Sequence, residues 1–156
     1  MTPESPPLHI ALLNPEIGPN AGNVGRLCLG MGARLHLIHP LGFQTDDKAV
    51  RRAGLDYWRH VQVTEHASED DFWQWLGDRT VWLYSAHGSQ PHTAGRFCRG
   101  DVLLFGPEST GLRADLVHAH GALRIPMTGP IRSLNLSNAV AVAAYTALQQ
   151  IAPEQF

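Results

Sequence analysis

The chain has 156 residues and a mass of 17.1 kDa; it is 44% hydrophobic and 17% charged, with a net charge of −2 at pH 7. That length suits one domain with one core, and the composition is too apolar and too weakly charged for a disordered chain. The longest apolar run, Ala139–Leu148, is about half of the roughly 20 residues that a bilayer helix needs, so no membrane association is expected.

Residues 1–7 and 152–156 read as short tails around a domain at 8–151. Leu8–Leu13 is an apolar run that fits a buried first strand. Asn20 to Met31 fits a helix with Asn20 as its cap. Leu35–His39 reads as a second strand, stopped by Pro40. Asp46 to Ala53 suits a short helix whose acidic start complements the helix dipole. Val61–Val63 is a short strand. Glu69 to Leu76 places Phe72, Trp75 and Leu76 at i, i+3 and i+4, the spacing of one helical face. Thr80–Ser85 and Asp101–Phe105 are two core strands, Ala114–Ala119 a short helix, Ala122–Pro126 a last strand and Asn135–Ile151 a final helix. Strands alternating with helices predict an α/β fold with a mostly parallel sheet flanked by helices.

The final helix is apolar nearly all round. Val140, Ala143, Ala147 and Leu148 form one face, and Ala141, Val142 and Tyr145 the other. A helix apolar on all sides must be covered on all sides, so a second subunit is expected on the far face.

Three polar, glycine-bearing segments follow predicted strands. In the first, Asn14 to Arg26, asparagine amides and backbone N–H groups open a helix and Arg26 adds a guanidinium; an ordinary turn and an anion site both fit. The second, Phe105-Gly106-Pro107-Glu108-Ser109-Thr110-Gly111-Leu112, brings a carboxylate to the sheet edge where ligands of α/β folds sit, and Gly106 would let a ligand approach the backbone. The third runs from Ile125 through Met127, Arg132, Ser133 and Asn135 to Asn138. Its hydroxyl and amide groups exceed what helix capping requires, so they predict a polar pocket. Between the first two, Lys48, Arg51 and Arg52 share a helical face beside Tyr57 and Trp58, a pattern that suits phosphates on the charges and bases on the rings.

Other chemistries are poorly matched. Nine histidines include no HExxH or HxxxH, so no metal is expected. There is no GxSxG elbow, GxGxxG fingerprint or P-loop, which disfavours a hydrolase or a nucleotide-dependent oxidoreductase. The two cysteines, Cys28 and Cys98, lie far apart and suit free thiols in a cytoplasmic protein. MTPESPPLHI lacks the basic and apolar regions of a secretory leader.

Together, the segments Pro-Glu-Ile-Gly-Pro-Asn-Ala-Gly-Asn-Val-Gly-Arg, Asp-Asp-Lys…Arg-Arg-Ala-Gly-Leu-Asp-Tyr, Phe-Gly-Pro-Glu-Ser-Thr-Gly-Leu and Ile-Pro-Met…Arg-Ser-Leu-Asn-Leu-Ser-Asn-Ala-Val resemble the SPOUT class of RNA methyltransferases. More narrowly, they resemble the TrmL family, which methylates the 2′-oxygen of the wobble nucleotide, cytidine or uridine 34, of certain tRNAs. The four stand in family order over roughly residues 8–150.

The resemblance implies a deep trefoil knot at the C-terminal end, a homodimer packed through the last helix, S-adenosylmethionine as cofactor and a tRNA anticodon stem-loop as substrate. Cofactor binding falls on Tyr84, Gly106, Ile125, Met127 and Ser133. Catalysis falls on Arg26, Glu108, Ser133 and Asn135, with Asn20 supporting Arg26; Glu108 is expected either to orient Arg26 or to neutralise the sulfonium site. RNA contacts are expected at Lys48, Arg51, Arg52, Tyr57 and Arg132. Two departures from the family stand out: Thr146 follows Tyr145 where a glutamate is common, and Gly25 replaces a bulkier residue. A ribosomal-RNA methyltransferase of the same fold, or a non-catalytic RNA-binding module, are the competing readings.

Overall fold

The computed structural model describes residues 5–46 and 57–156. Seven strands form one sheet: β1 (Leu8–Leu13), β2 (Arg34–Ile38), β3 (Val63–His66), β4 (Val81–Tyr84), β5 (Gln90–Pro91), β6 (Asp101–Phe105) and β7 (Leu123–Arg124). They lie in the order β3-β2-β1-β6-β4-β7-β5, and each neighbouring pair is parallel. The helices are α1 (Gly18–Met31), α2 (Glu69–Leu76), α3 (Ala114–His120) and α4 (Leu136–Ile151).

The two-residue period of a strand divides the core. Leu8, Ile10 and Leu12 of β1 face a cluster with Val24 and Cys28 of α1 and Val140, Ala143, Ala144 and Ala147 of α4. Ala11 and Leu13 face the opposite cluster, with Phe72 and Leu76 of α2 and Leu116 of α3. Helices thus cover both faces, as a parallel sheet requires.

Most predicted elements are present, with instructive shifts. The helix α1 starts at Gly18, with Ile17 at the cap position and Pro19 in its first turn, so Asn20 is not the cap and its side chain is left for other partners. Ser68 caps α2 by accepting from the Asp71 N–H, and three acidic residues fill its first turn. The third strand is Val63–His66 rather than 61–63, because a 3-10 turn over Trp58–His60 hands its hydrogen bond to the Val61 N–H. The predicted last strand shortens to Leu123–Arg124, and the two-residue β5 went unforeseen. The predicted helix at 46–53 lies outside the described residues except for Asp46.

On the α2 face, three histidines form a ladder across three strands. His9 Nδ1 lies 2.9 Å from His36 Nε2, and His36 Nδ1 lies 2.9 Å from His66 Nε2. Trp75 packs on all three rings. A neutral imidazole has one donor and one acceptor, so three uncharged rings can pass both hydrogen bonds along the ladder. Burial pushes His36 down to about 3 and His9 down to about 4, with Arg34 and Arg79 reinforcing both and the neighbouring imidazoles adding to His36. Burial also lowers His66, against the opposing pull of Asp71.

An unfolded histidine titrates near 6.5, so the ladder carries no proton penalty above that pH and an increasing one as pH falls toward 4. Urea unfolding at pH 7 and pH 4.5 should show a loss on the order of 2 kcal/mol traceable to His36. In His36→Gln the same acid step should cost less; an equal acid loss in both proteins would contradict this account.

Candidate active site

The C-terminal ends of β1, β4, β6 and β7 open onto a cavity of about 290 Å³. The loop after β1 delivers Ile17 and Asn20, the turn after β4 delivers Ser85 to His87, and the loop after β6 delivers Gly106 to Gly111. The segment after β7 delivers Ile125 and Arg132 to Asn135. On its floor the Tyr84 ring stacks on Phe105, with centroids 4.7 Å apart and planes 9° from parallel. The Tyr84 hydroxyl is buried without a hydrogen-bond partner among the described residues, and burial pushes its pKa up.

The Glu108 carboxylate ties these loops together. Its Oε1 accepts the Glu16 N–H at 2.8 Å, and its Oε2 accepts the Ile17 N–H at 2.8 Å and Asn20 Nδ2 at 3.2 Å. These backbone groups belong to the entrance of α1, where helix N–H groups lack internal partners and favour negative charge. Glu16 answers in the opposite direction: its Oε1 accepts both the N–H (2.8 Å) and the hydroxyl (2.7 Å) of Ser109, which hold its carboxyl below the usual range. Asn20, buried, continues the chain by accepting from Asn135 Nδ2 at 3.1 Å. Asn135 Oδ1 then caps α4 by accepting from the N–H and hydroxyl of Ser137.

The predicted catalytic set therefore separates. Glu108, Asn20 and Asn135 form one continuous network, and Ser133 stands beside it on the cavity wall. Arg26 does not line the cavity. It is exposed on α1, and its guanidinium has no hydrogen bond or ion pair among the described residues. Glu108 consequently does not orient Arg26 by contact; it fixes the start of the helix on which Arg26 rides.

Of the predicted cofactor positions, Tyr84, Gly106, Ile125 and Ser133 line the cavity. Met127 lines an adjoining recess that shares Ala86, Ile125 and Arg132 with it. Gly106, which lines the cavity, has a steric reason beside the one expected: a β-carbon there would collide with the Gly111 carbonyl carbon and the Leu112 nitrogen. The chain folding back on itself requires that glycine. Tyr57 sits half-buried against α1 and donates its hydroxyl to the Gly22 carbonyl at 3.1 Å. Lys48, Arg51 and Arg52 lie outside the described residues.

Sequence reasoning missed Glu16, Ser109 and His87. Glu16 stands inside the first motif, yet nothing in its spacing announces that it pairs with a loop more than ninety positions away. His87 reaches the cavity on a turn fixed by Ser85, whose Oγ accepts the His87 N–H and whose own N–H reaches the Leu123 carbonyl.

A family model described as the SpoU rRNA Methylase family matches residues 7–145. The chain belongs to the SpoU methylase family. A protein of Aeromonas hydrophila named tRNA (cytidine(34)-2'-O)-methyltransferase is 46% identical over 147 residues, covering 92% of this chain and 94% of its own. A protein of the same name from Escherichia coli K12 is 45% identical with the same coverage. A solved structure described as giving insights into the 2-OH methylation of C/U34 on tRNA superposes with a TM-score of 0.86 at 49% identity, covering 92% of this chain and 95% of that one. An AdoMet-bound rRNA methyltransferase from Sinorhizobium meliloti superposes with a TM-score of 0.80 at 26% identity, and this chain spans 58% of that longer protein.

The network predicts a stability effect. Glu108→Gln turns one acceptor into a donor facing N–H groups that then lack a partner, at a cost of about 1–3 kcal/mol. A lower midpoint in urea unfolding is expected; an unchanged midpoint would mean that the carboxylate does not hold the entrance of α1.

Proposed function

We propose that the chain transfers a methyl group from S-adenosylmethionine to the ribose 2′-oxygen of nucleotide 34, cytidine or uridine, in the anticodon loop of tRNA, as a cytoplasmic enzyme. The observation that carries the reading is the match, over 92% of the chain and in the mid-forties of per cent identity, to proteins named for that reaction.

The residues present fit the donor. The cavity joins apolar walls at Phe105, Leu123 and Leu136 to polar groups at its rim. The backbone of 126–134, which borders the cavity and its adjoining recess, has no hydrogen-bonding partner among the described residues, so its amides and carbonyls are available to a polar heterocycle and ribose. Tyr84, Gly106, Ile125, Met127 and Ser133 are the positions that hold it. When bound, the donor supplies a methyl group on a sulfonium, already a good leaving group, so no metal is required.

The protein's contribution is placement. Orienting two reactants is worth up to about 7–11 kcal/mol of barrier. Ser133 and Asn135 fix the reacting groups at the cavity wall, and Asn20 and Glu108 keep that wall in register with α1. Arg26, exposed and without a protein partner, clamps the substrate phosphate and stabilises the developing alkoxide. A guanidinium is a poor base, since its pKa exceeds about 12; the phosphate or water takes the proton.

The reading includes a deep knot and a homodimer. Its support for the knot is that β7 lies between β4 and β5, with the Ser85–Gly88 turn pressed on Leu123. For the dimer, Val142 (38%) and Tyr145 (44%) stay exposed on the far face of α4, and Leu29 (41%) on α1, the helix that contacts it. Lys48, Arg51 and Arg52, with Arg132 at the cavity mouth, are the cations for the anticodon stem-loop, those of one subunit serving the other's cavity.

Labelled S-adenosylmethionine incubated with total tRNA should leave label on the ribose of nucleotide 34. Label in ribosomal RNA instead would favour that class, and tight RNA binding without donor binding would favour a non-catalytic module. Arg26→Lys should retain measurable transfer, whereas total loss with intact RNA binding would contradict the clamp role. Mixed dimers of an Arg26→Ala subunit and an Arg51→Ala/Arg52→Ala subunit should recover activity; none would mean that each site is built by one chain.

A further inference from the structure

The helix carrying Arg26 is weak by composition. Gly22, Gly25 and Gly30 all fall within α1, and a glycine inside a helix costs about 1 kcal/mol relative to alanine. Two of them, both buried, sit in the turn just before Arg26. In the helical ladder, the Gly22 carbonyl is the acceptor of the Arg26 N–H. The orientation of Arg26 therefore depends on a turn that Val24 anchors in the core but that is bare at its two glycine positions.

Two aromatic side chains from outside the helix occupy that gap. The Tyr57 hydroxyl donates to the Gly22 carbonyl at 3.1 Å, the same oxygen that receives the Arg26 N–H. Trp58 lies where a side chain at position 25 would be: a β-carbon on Gly25 would stand 2.5 Å from Trp58 Cζ3 and 3.0 Å from Cε3. Both rings pack on the core cluster shared by α1 and α4, and the 3-10 turn over Trp58–His60 holds them together, with the His60 N–H bonded to the Tyr57 carbonyl and the Val61 N–H to the Trp58 carbonyl. The bulkier residue expected at position 25 is thus replaced by a glycine and an indole that fills its space. Neither ring reaches the cavity.

We propose that Tyr57 and Trp58 are positioning residues for methyl transfer, which hold the Gly22–Gly25 turn helical and so present Arg26 to the RNA in one orientation. The proposal rests on the tRNA methyltransferase reading above. It assigns Tyr57 a role on α1 in place of the base-stacking role that its neighbours in sequence suggest.

The test is a cycle between the positioning residues and Arg26, measured as kcat at saturating tRNA and donor, with donor affinity and thermal midpoint recorded for each variant. Tyr57→Phe removes only the hydroxyl. It should lower kcat about 5-fold in the wild-type background while donor affinity stays unchanged, and less than 2-fold in the Arg26→Lys background, because its effect passes through Arg26. Equal reductions in both backgrounds, or none in either, would overturn the proposal. Gly25→Ala, which drives a methyl group into the indole, should lower kcat similarly, and adding Trp58→Leu should restore part of it; multiplying losses would overturn the packing argument. If the wild-type protein transfers no methyl group to any tRNA, it is the underlying reading that fails.

Discussion

The Glu108 carboxylate accepts hydrogen bonds from the Glu16 and Ile17 N–H groups and from Asn20, and through Asn20 its reach extends to Asn135 at the start of α4. Three segments far apart in the chain are joined by this one group: the entrance of α1, the loop after β6 and the N-terminus of the final helix. The physical basis is general. The first N–H groups of a helix have no internal acceptors, and an ionised oxygen satisfies them with bonds stronger than neutral ones. Because those loops also enclose the cavity, the interaction that orders them also shapes the place where a cofactor can sit.

Glycines let the rest of the chain close around that arrangement. Gly106 admits the returning backbone of Gly111 and Leu112, and Gly88 admits the backbone of Ala122 and Leu123. At both positions the space that a side chain would need is taken by backbone. Close passage of one segment past another is the constraint, and it accounts for glycine in a loop that also lines the cavity.

Much of the fold was legible in the sequence. Strand β1 and strand β6 have their predicted bounds, as does α2, because strong apolar periodicity and clear end signals coincide there. The parallel sheet followed from alternation of strands and helices. What escaped was local or long-range: β5 has two residues and no periodicity to detect, and Asn20 looked like a cap because its true partners, Glu108 and Asn135, are distant in sequence. A resemblance picked out several residues that line the cavity, but not which of them bond to one another. Only the geometry separates Glu108, which organises backbone, from Arg26, which stands exposed on α1.

The direct test of a donor cavity shaped by Glu108 is a crystal structure of the protein with S-adenosylhomocysteine bound. The account predicts the ligand between the turn after β4, the Gly106–Pro107 backbone and the 125–135 segment, with the contacts from Glu108 to Asn20 and from Asn20 to Asn135 intact. A ligand seated elsewhere, or a cavity that forms only after those contacts break, would contradict it.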